Sequence, residues 1–157
     1  MKNETTPLRL IYPQWQGGIV DHWMPDIPAK DSSRGYYLGA QLLNLLAPES
    51  NQKTVEVPVS LDINDRAIEK GISARNVIVK QSKAALDILN ENNPDRIITL
   101  GGECSVSVVP FTYLAAKYPD DIAVVWIDAH PDINLPYDAY KGYHAMALTA
   151  CLGMGDE

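Results

Sequence analysis

The sequence predicts an α/β protein of three layers, helix on sheet on helix, built around a mainly parallel sheet. Three observations lead there. Short runs of β-forming residues alternate with longer stretches of helical periodicity. One of those runs, Ile122-Ala123-Val124-Val125-Trp126-Ile127, is apolar throughout, as expected of a strand covered on both faces of a parallel sheet. Glycine-bearing and polar segments follow the runs, at the strand ends where such a fold collects its binding groups.

Residues 8–12, a mix of apolar and β-branched side chains closed by Pro13, read as the first strand. Residues 14–33 carry Gly17, Gly18, Pro25, Pro28 and Asp31-Ser32-Ser33 without a sustained period, which predicts a surface loop. Tyr37, Leu38, Gln41, Leu42, Leu45 and Leu46 include an apolar stripe at helical spacing, and Pro48 stops that helix. The alternation in residues 54–59 is strand-like, but Pro58 has no N–H for a central ladder, so the strand belongs at a sheet edge.

Residues 64–93 read mostly as helix, with Val77, Ala84, Ala85, Ile88 and Leu89 as its buried side and Pro94 after its end. Residues 96–100 form a third strand, running into Gly101-Gly102-Glu103-Cys104-Ser105. Paired glycines permit a tight turn there, and Ser105 and Ser107 can cap a helix that reaches about Lys117 with Pro110 in its first turn. Residues 122–127 are the fourth strand. With no repeat, linker or low-complexity tract, residues 1–157 are expected to form one domain.

Composition narrows the function. A net charge of -7 and no basic cluster disfavour nucleic-acid binding, which relies on grouped Lys and Arg. The longest apolar run is too short to span a bilayer, and no secretory apolar segment follows the first residues, so a cytosolic, membrane-free protein is expected. Cys104 and Cys151 are too few for a disulfide framework and read as reduced thiols.

The chemistry gathers after the fourth strand. If Asp128, His130 and Asp132 stay extended, their period of two points two carboxylates and an imidazole to one side. Mixed oxygen and nitrogen donors suit a fairly hard divalent ion such as Mn²⁺. The alternative is a polar strand end that caps a neighbouring helix.

Two motifs carry a family resemblance. Gly101-Gly102-Glu103-Cys104-Ser105 resembles the Gly-Gly-Asp-His-Ser motif of arginases, agmatinases and formimidoylglutamases, and Asp128-Ala129-His130-Pro131-Asp132 resembles their Asp-Ala-His-x-Asp motif. Gly142-Tyr143-His144-Ala145-Met146 is similar to their His-Gly-Met segment, with Ala145 in place of the glycine. The resemblance implies an arginase-like fold truncated to about its N-terminal half. It also implies two Mn²⁺ ions bridged by a hydroxide that attacks the carbon of a small guanidino or amidino substrate.

Transferred by position, Asp128, His130 and Asp132 become metal ligands, with Asp128 also catalytic. Cys104 stands where the family places a ligating histidine. His144 becomes the proton-shuttling or substrate-holding histidine; a surface or helix-capping role is its alternative. Asn134 becomes a contact to a substrate α-carboxylate, or simply a turn residue beside Pro136. A thiolate in place of a histidine should weaken the manganese site or change its metal, unless Cys104 is only a small buried hydrophobe. Tyr140 and Gly142 lie where the family has small polar residues, which leaves the substrate open. His22 and Trp23 read as loop packing rather than catalysis.

Family members also carry a Ser-x-Asp-x-Asp-x-x-Asp-Pro motif whose aspartates complete the metal shells, and no such motif occurs in these residues. The chain alone is therefore expected to be inactive, with a weak site. In the family sheet, later strands lie between the third and fourth strands, so edges left open here are expected to favour a homo-oligomer. A degenerate metal-binding or self-assembling module is the competing reading.

Overall fold

A computed structural model describes residues 6–155. Its centre is a three-stranded parallel sheet with the first strand in the middle. Strand β1 (Pro7–Tyr12) pairs on one side with β2 (Lys53–Glu56), Leu10 opposite Val55, and on the other with β5 (Arg96–Gly101), Leu10 opposite Thr99. The edge position expected for the strand of residues 54–59 is found, since among the described residues β2 pairs only with β1, and it stops at Glu56, short of Pro58.

Alternation along β1 sorts its side chains between two faces. Leu8, Leu10 and Tyr12 pack with Val57, with Ala85 and Leu89 of α3 (Arg75–Asn92), and with Val109 of α4 (Val108–Lys117). Helix α2 (Ala29–Leu46) packs against β1 and β5, and its Gln41 Nε2 donates to Glu56 Oε1 of β2 at 2.7 Å. The result is an α/β fold with a parallel sheet between helical layers. Among the described residues no helix is long and apolar enough to cross a membrane.

Five expectations are corrected. Helix α2 begins at Ala29, not after Ser33, and a short helix α1 (Val20–Trp23) interrupts the predicted loop. Asp31 lies in the first turn of α2, where an acid complements the helix dipole, and Ser32 and Ser33 are buried against the fold. The apolar stripe of α2 is exposed at Leu38, Leu42, Leu45 and Leu46, because among the described residues no element covers that face.

Residues 64–74 are not helical. They hold the hairpin β3 (Ile68–Glu69) and β4 (Ile72–Ser73), turned by Lys70 and Gly71, which both have positive φ. A Cβ on Gly71 would stand 1.9 Å from the Pro136 carbonyl oxygen, so the hairpin tip abuts the loop after Asp132, and Ser73 N–H donates to Lys141 O at 3.0 Å. The hairpin thereby braces that loop.

The turn after β5 leads into one turn of 3-10 helix (Cys104–Ser107), capped not by Ser105 or Ser107 but by the Glu103 side chain, which accepts from the Ser105 N–H. Pro110 does lie in the first turn of α4.

The fourth strand does not form. Residues 122–127 join no β ladder, and Val125 and Ile127 are 79% and 93% exposed. Composition made this run a strong strand former, but a strand needs a hydrogen-bonded neighbour, and among the described residues none lies beside it. Only Trp126 finds partial cover, edge-on to Phe111 at 6.2 Å between ring centroids.

Candidate metal centre

The parallel strands bring their C-terminal ends together, and the turn after β5 crosses close to the chain leaving β1. Gly102 N–H donates to Tyr12 O at 3.0 Å. This closeness sets a buried polar network under the site. Gln14 Nε2 donates to Glu103 Oε1 and to Ser105 Oγ, both at 2.9 Å, while Gln14 Oε1 accepts from Gln81 Nε2 at 2.8 Å. Glu103 Oε1 also accepts from Ser105 Oγ at 2.6 Å, and Oε2 from Ser105 N at 2.9 Å. Burial pushes the Glu103 carboxyl above its ordinary range, and the hydrogen bonds from Ser105 and Gln14 act the other way. Glu103 therefore anchors the turn and does not belong to the donor group that follows it.

Above this floor Cys104, Asp132 and His144 each present a ligand atom, and the three atoms lie within 4.8 Å of one another. The three arrive from separate parts of the chain. Cys104 opens the 3-10 turn after β5. Asp132 sits in a loop with φ of +49°, and its carbonyl accepts the N–H of Leu148 in α5 (Ala147–Cys151) at 3.0 Å. His144 lies in a one-turn 3-10 helix (Tyr143–Met146). Asp132 is 3% exposed, and its Oδ2 is buried without a hydrogen-bond partner.

The extended run assumed for Asp128, His130 and Asp132 is absent. Residues 128–130 bend, with Asp128 Oδ1 accepting the His130 N–H at 2.9 Å, and the left-handed backbone of Asp132 ends any period of two. Asp128 stays beside the site, its Oδ2 facing Cys104 Sγ at 3.7 Å. The His130 side chain is 78% exposed and outside the three-donor group. Asn134 lines a largely apolar cavity of about 420 Å³ with Tyr143 and Met146; Cys104, Asp132 and His144 do not line it.

Electrostatics biases each donor toward its uncharged form. Burial, reinforced by the Asp132 and Asp128 carboxylates, pushes the Cys104 thiol far above its usual range. Burial raises the Asp132 carboxyl, opposed by the neighbouring Cys104 thiol and aided by Asp128. Burial lowers the His144 imidazole, against the pull of Asp132.

The orphaned Asp132 oxygen and the neutral imidazole fit one cation. They do not, as placed, fit the pair of Mn²⁺ ions that the resemblance implies, since one group of three donors converges among the described residues and it includes sulfur.

Sequence reading missed Tyr140. Its hydroxyl lies 2.8 Å from His144 Nε2, receives the Trp23 Nε1–H at 3.2 Å and donates to Gly18 O at 3.3 Å. An irregular loop carries it, so no periodicity marks it; only its departure from the family's small polar residues hinted at a role. The rings of His22 and Trp23 meet edge-on at 4.9 Å, and Trp23 packs on Tyr140, as expected of loop packing.

Comparison with known proteins bears on the family and the fold. Residues 39–156 match the model of the arginase family. An arginase from Entamoeba histolytica is 26% identical over 122 residues, covering 74% of this chain and 40% of that protein. An N(omega)-hydroxy-L-arginine amidinohydrolase from Streptomyces lavendulae is 31% identical over 84 residues, covering 53% of this chain and 30% of that protein. The crystal structure of arginase from Bacillus subtilis superposes with a TM-score of 0.55 at 18% identity, over 98% of this chain and 49% of that one. The chain thus spans half or less of the length of these relatives. With the family model matched over most of its residues, the chain belongs to the arginase family.

Proposed function

We propose that this chain supplies part of the active site of a hydrolase that cleaves a C–N bond of a linear guanidino or amidino substrate, arginine- or agmatine-like, and that the 157 residues alone do not turn over. The observation that carries the proposal is the convergence of Cys104, Asp132 and His144, with Asp128 alongside, at the strand ends of an arginase-family fold. A bound divalent ion would polarise the substrate and acidify water. Asp128, His130 and Asp132 are proposed as donors to a fuller shell, His144 as the acid–base or substrate contact once that shell exists, and Asn134 as a contact for the substrate's carboxylate end.

Two-ion chemistry holds its metals about 3.5–4 Å apart in a fixed shell. Three converging donors cannot hold two ions in that way. With MnCl₂ and arginine, agmatine or formiminoglutamate, the purified chain is expected to release no urea above a protein-free blank. Urea release abolished by Asp128→Ala would overturn the claim of inactivity. Ligand binding to the folded form raises its stability. Arginine or agmatine is accordingly expected to raise the melting midpoint of the metal-loaded chain, and no shift with either would remove the substrate class.

A second reading, self-assembly, is favoured by the bare Val125 and Ile127 and by β5, which among the described residues pairs on one side only. Light scattering should then give a mass above that of one chain, rising with concentration. A constant monomer mass across a wide concentration range would dismiss it.

A further inference from the structure

We infer that Cys104, Asp132 and His144 form a single-cation site that selects a thiophilic divalent ion of the zinc or cobalt class over manganese, with Tyr140 as the positioning residue that fixes His144 in its ligating tautomer. The site is a property of the chain as folded and does not depend on the hydrolase reading.

Spacing permits it. Ligand atoms about 2.0–2.3 Å from a tetrahedral ion lie about 3.3–3.8 Å from one another. The three atoms, all within 4.8 Å of one another, close on one ion with small side-chain adjustments. Independently, Asp132 Oδ2 is a buried carboxylate oxygen to which nothing donates. Such an atom is costly unless something satisfies it, and a cation in the middle of the group does so. Asp132 is also held in place, because its left-handed backbone is secured by the carbonyl that accepts from α5.

The donor types decide the metal. One sulfur, one carboxylate oxygen and one imidazole nitrogen form a borderline-to-soft set, whereas Mn²⁺ favours oxygen-rich shells. Sulfur binds as thiolate, so the thiol proton leaves to solvent as the sulfur–metal bond forms. Three protein donors leave a fourth position for water.

The hydroxyl of Tyr140 can select which nitrogen of His144 ligates. It has one hydrogen and two lone pairs. The Gly18 carbonyl can only accept, so it takes the hydrogen; the Trp23 indole can only donate, so it takes one lone pair. With the hydrogen on Gly18 O, the 2.8 Å contact is His144 Nε2–H donating to the second lone pair, and this is the tautomer we assign. The imidazole's free electron pair is left on Nδ1, and Tyr140 plays the part that an outer hydrogen-bond partner plays for most ligating histidines. With His144 engaged as a ligand it is no longer available to carry a proton, a second reason for the chain not to turn over.

Titration of the full chain with CoCl₂ tests the assignment. About one equivalent should bind, with a thiolate-to-cobalt charge-transfer band in the near ultraviolet. That band should disappear in Cys104→Ser and persist in Cys151→Ser. His144→Ala should weaken binding at least as much as Tyr140→Phe, for which a loss of about tenfold or more is expected from removing an outer partner. ZnCl₂ should displace the cobalt, and MnCl₂ at equal concentration should not. Circular dichroism of each variant separates loss of the site from loss of the fold. No band in the wild-type chain, a band that survives Cys104→Ser, displacement by manganese as readily as by zinc, or unchanged affinity in a folded His144→Ala variant would each overturn the inference. Absence of urea release would leave it standing.

Discussion

Gly102→Ala is expected to destabilise the chain by about 3 kcal/mol or more, because overpacking against atoms that cannot swing away lies at the upper end of the roughly 1–3 kcal/mol usual for such changes. The Cβ would stand 1.9 Å from the Gln14 carbonyl oxygen, 2.8 Å from its carbon and 3.1 Å from the Pro13 carbonyl carbon. All three are backbone atoms just past the end of β1, so relief requires the two chain segments leaving β1 and β5 to separate. Separation stretches the 3.0 Å bond from Gly102 N–H to Tyr12 O and carries Cys104 away from Asp132. Gly35→Ala is the control: it lies inside α2 with nothing within 4 Å of the added carbon. Its effect should be neutral or stabilising by up to about 1 kcal/mol, from helix propensity. Urea unfolding of both variants provides the check, and equal midpoints for Gly102→Ala and wild type would refute the steric account.

Gln14→Leu is expected to cost about 3 kcal/mol, although leucine fills nearly the same volume. The side chain of Gln14 is buried and makes a hydrogen bond with each end of its amide to other buried groups. Leucine removes one donor from the Glu103 carboxylate, one from Ser105 and the acceptor of Gln81, whose Nε2 keeps only the 3.1 Å bond to Gln16 Oε1. Orphaning a buried polar group costs roughly 1–3 kcal/mol, more when the group is charged, and the partial compensation by Ser105 and Gln16 holds the sum near 3. Gln14→Glu should be worse, because it sets a second carboxylate against Glu103 at hydrogen-bond distance. Chemical denaturation of both variants measures the order. A folded Gln14→Leu protein within about 1 kcal/mol of wild type would show that water replaces the lost partners.

These two positions mark how the site was and was not legible beforehand. The glycine pair could be read as a tight turn from its residue types alone, and Glu103 could be placed next to the donor position. That Gln14 closes a network with Gln81 across 67 residues could not, since hydrogen bonds over such separations leave no local pattern. Cys104 and Asp132 were singled out together as metal ligands and His144 as a proton-shuttling or substrate-holding residue; that the three ligand atoms lie within 4.8 Å of one another follows from the packing of α5 and the hairpin β3–β4 around the loop between them. His130 was grouped with the aspartates on an assumption of extended backbone, and as folded a bend at residues 128–130 with a left-handed Asp132 leaves it outside the three converging donors.

The amino-acid sequence by itself determined the parallel α/β class, the strands β1 and β5, the edge placement of β2, and the helices that Pro48, Pro94 and Pro110 delimit. Each of these follows from short-range chemistry: side-chain branching, a missing N–H or the period of an apolar face. Only the tertiary structure decided that residues 122–127 stay unpaired, that the leucine stripe of α2 faces outward, and that a sulfur, an oxygen and a nitrogen meet beside Tyr140. The reason is common to all three. Whether a β-forming run becomes a strand, an apolar face becomes core or a donor becomes a ligand depends on which partner stands opposite, and partners are chosen by the fold of the whole chain.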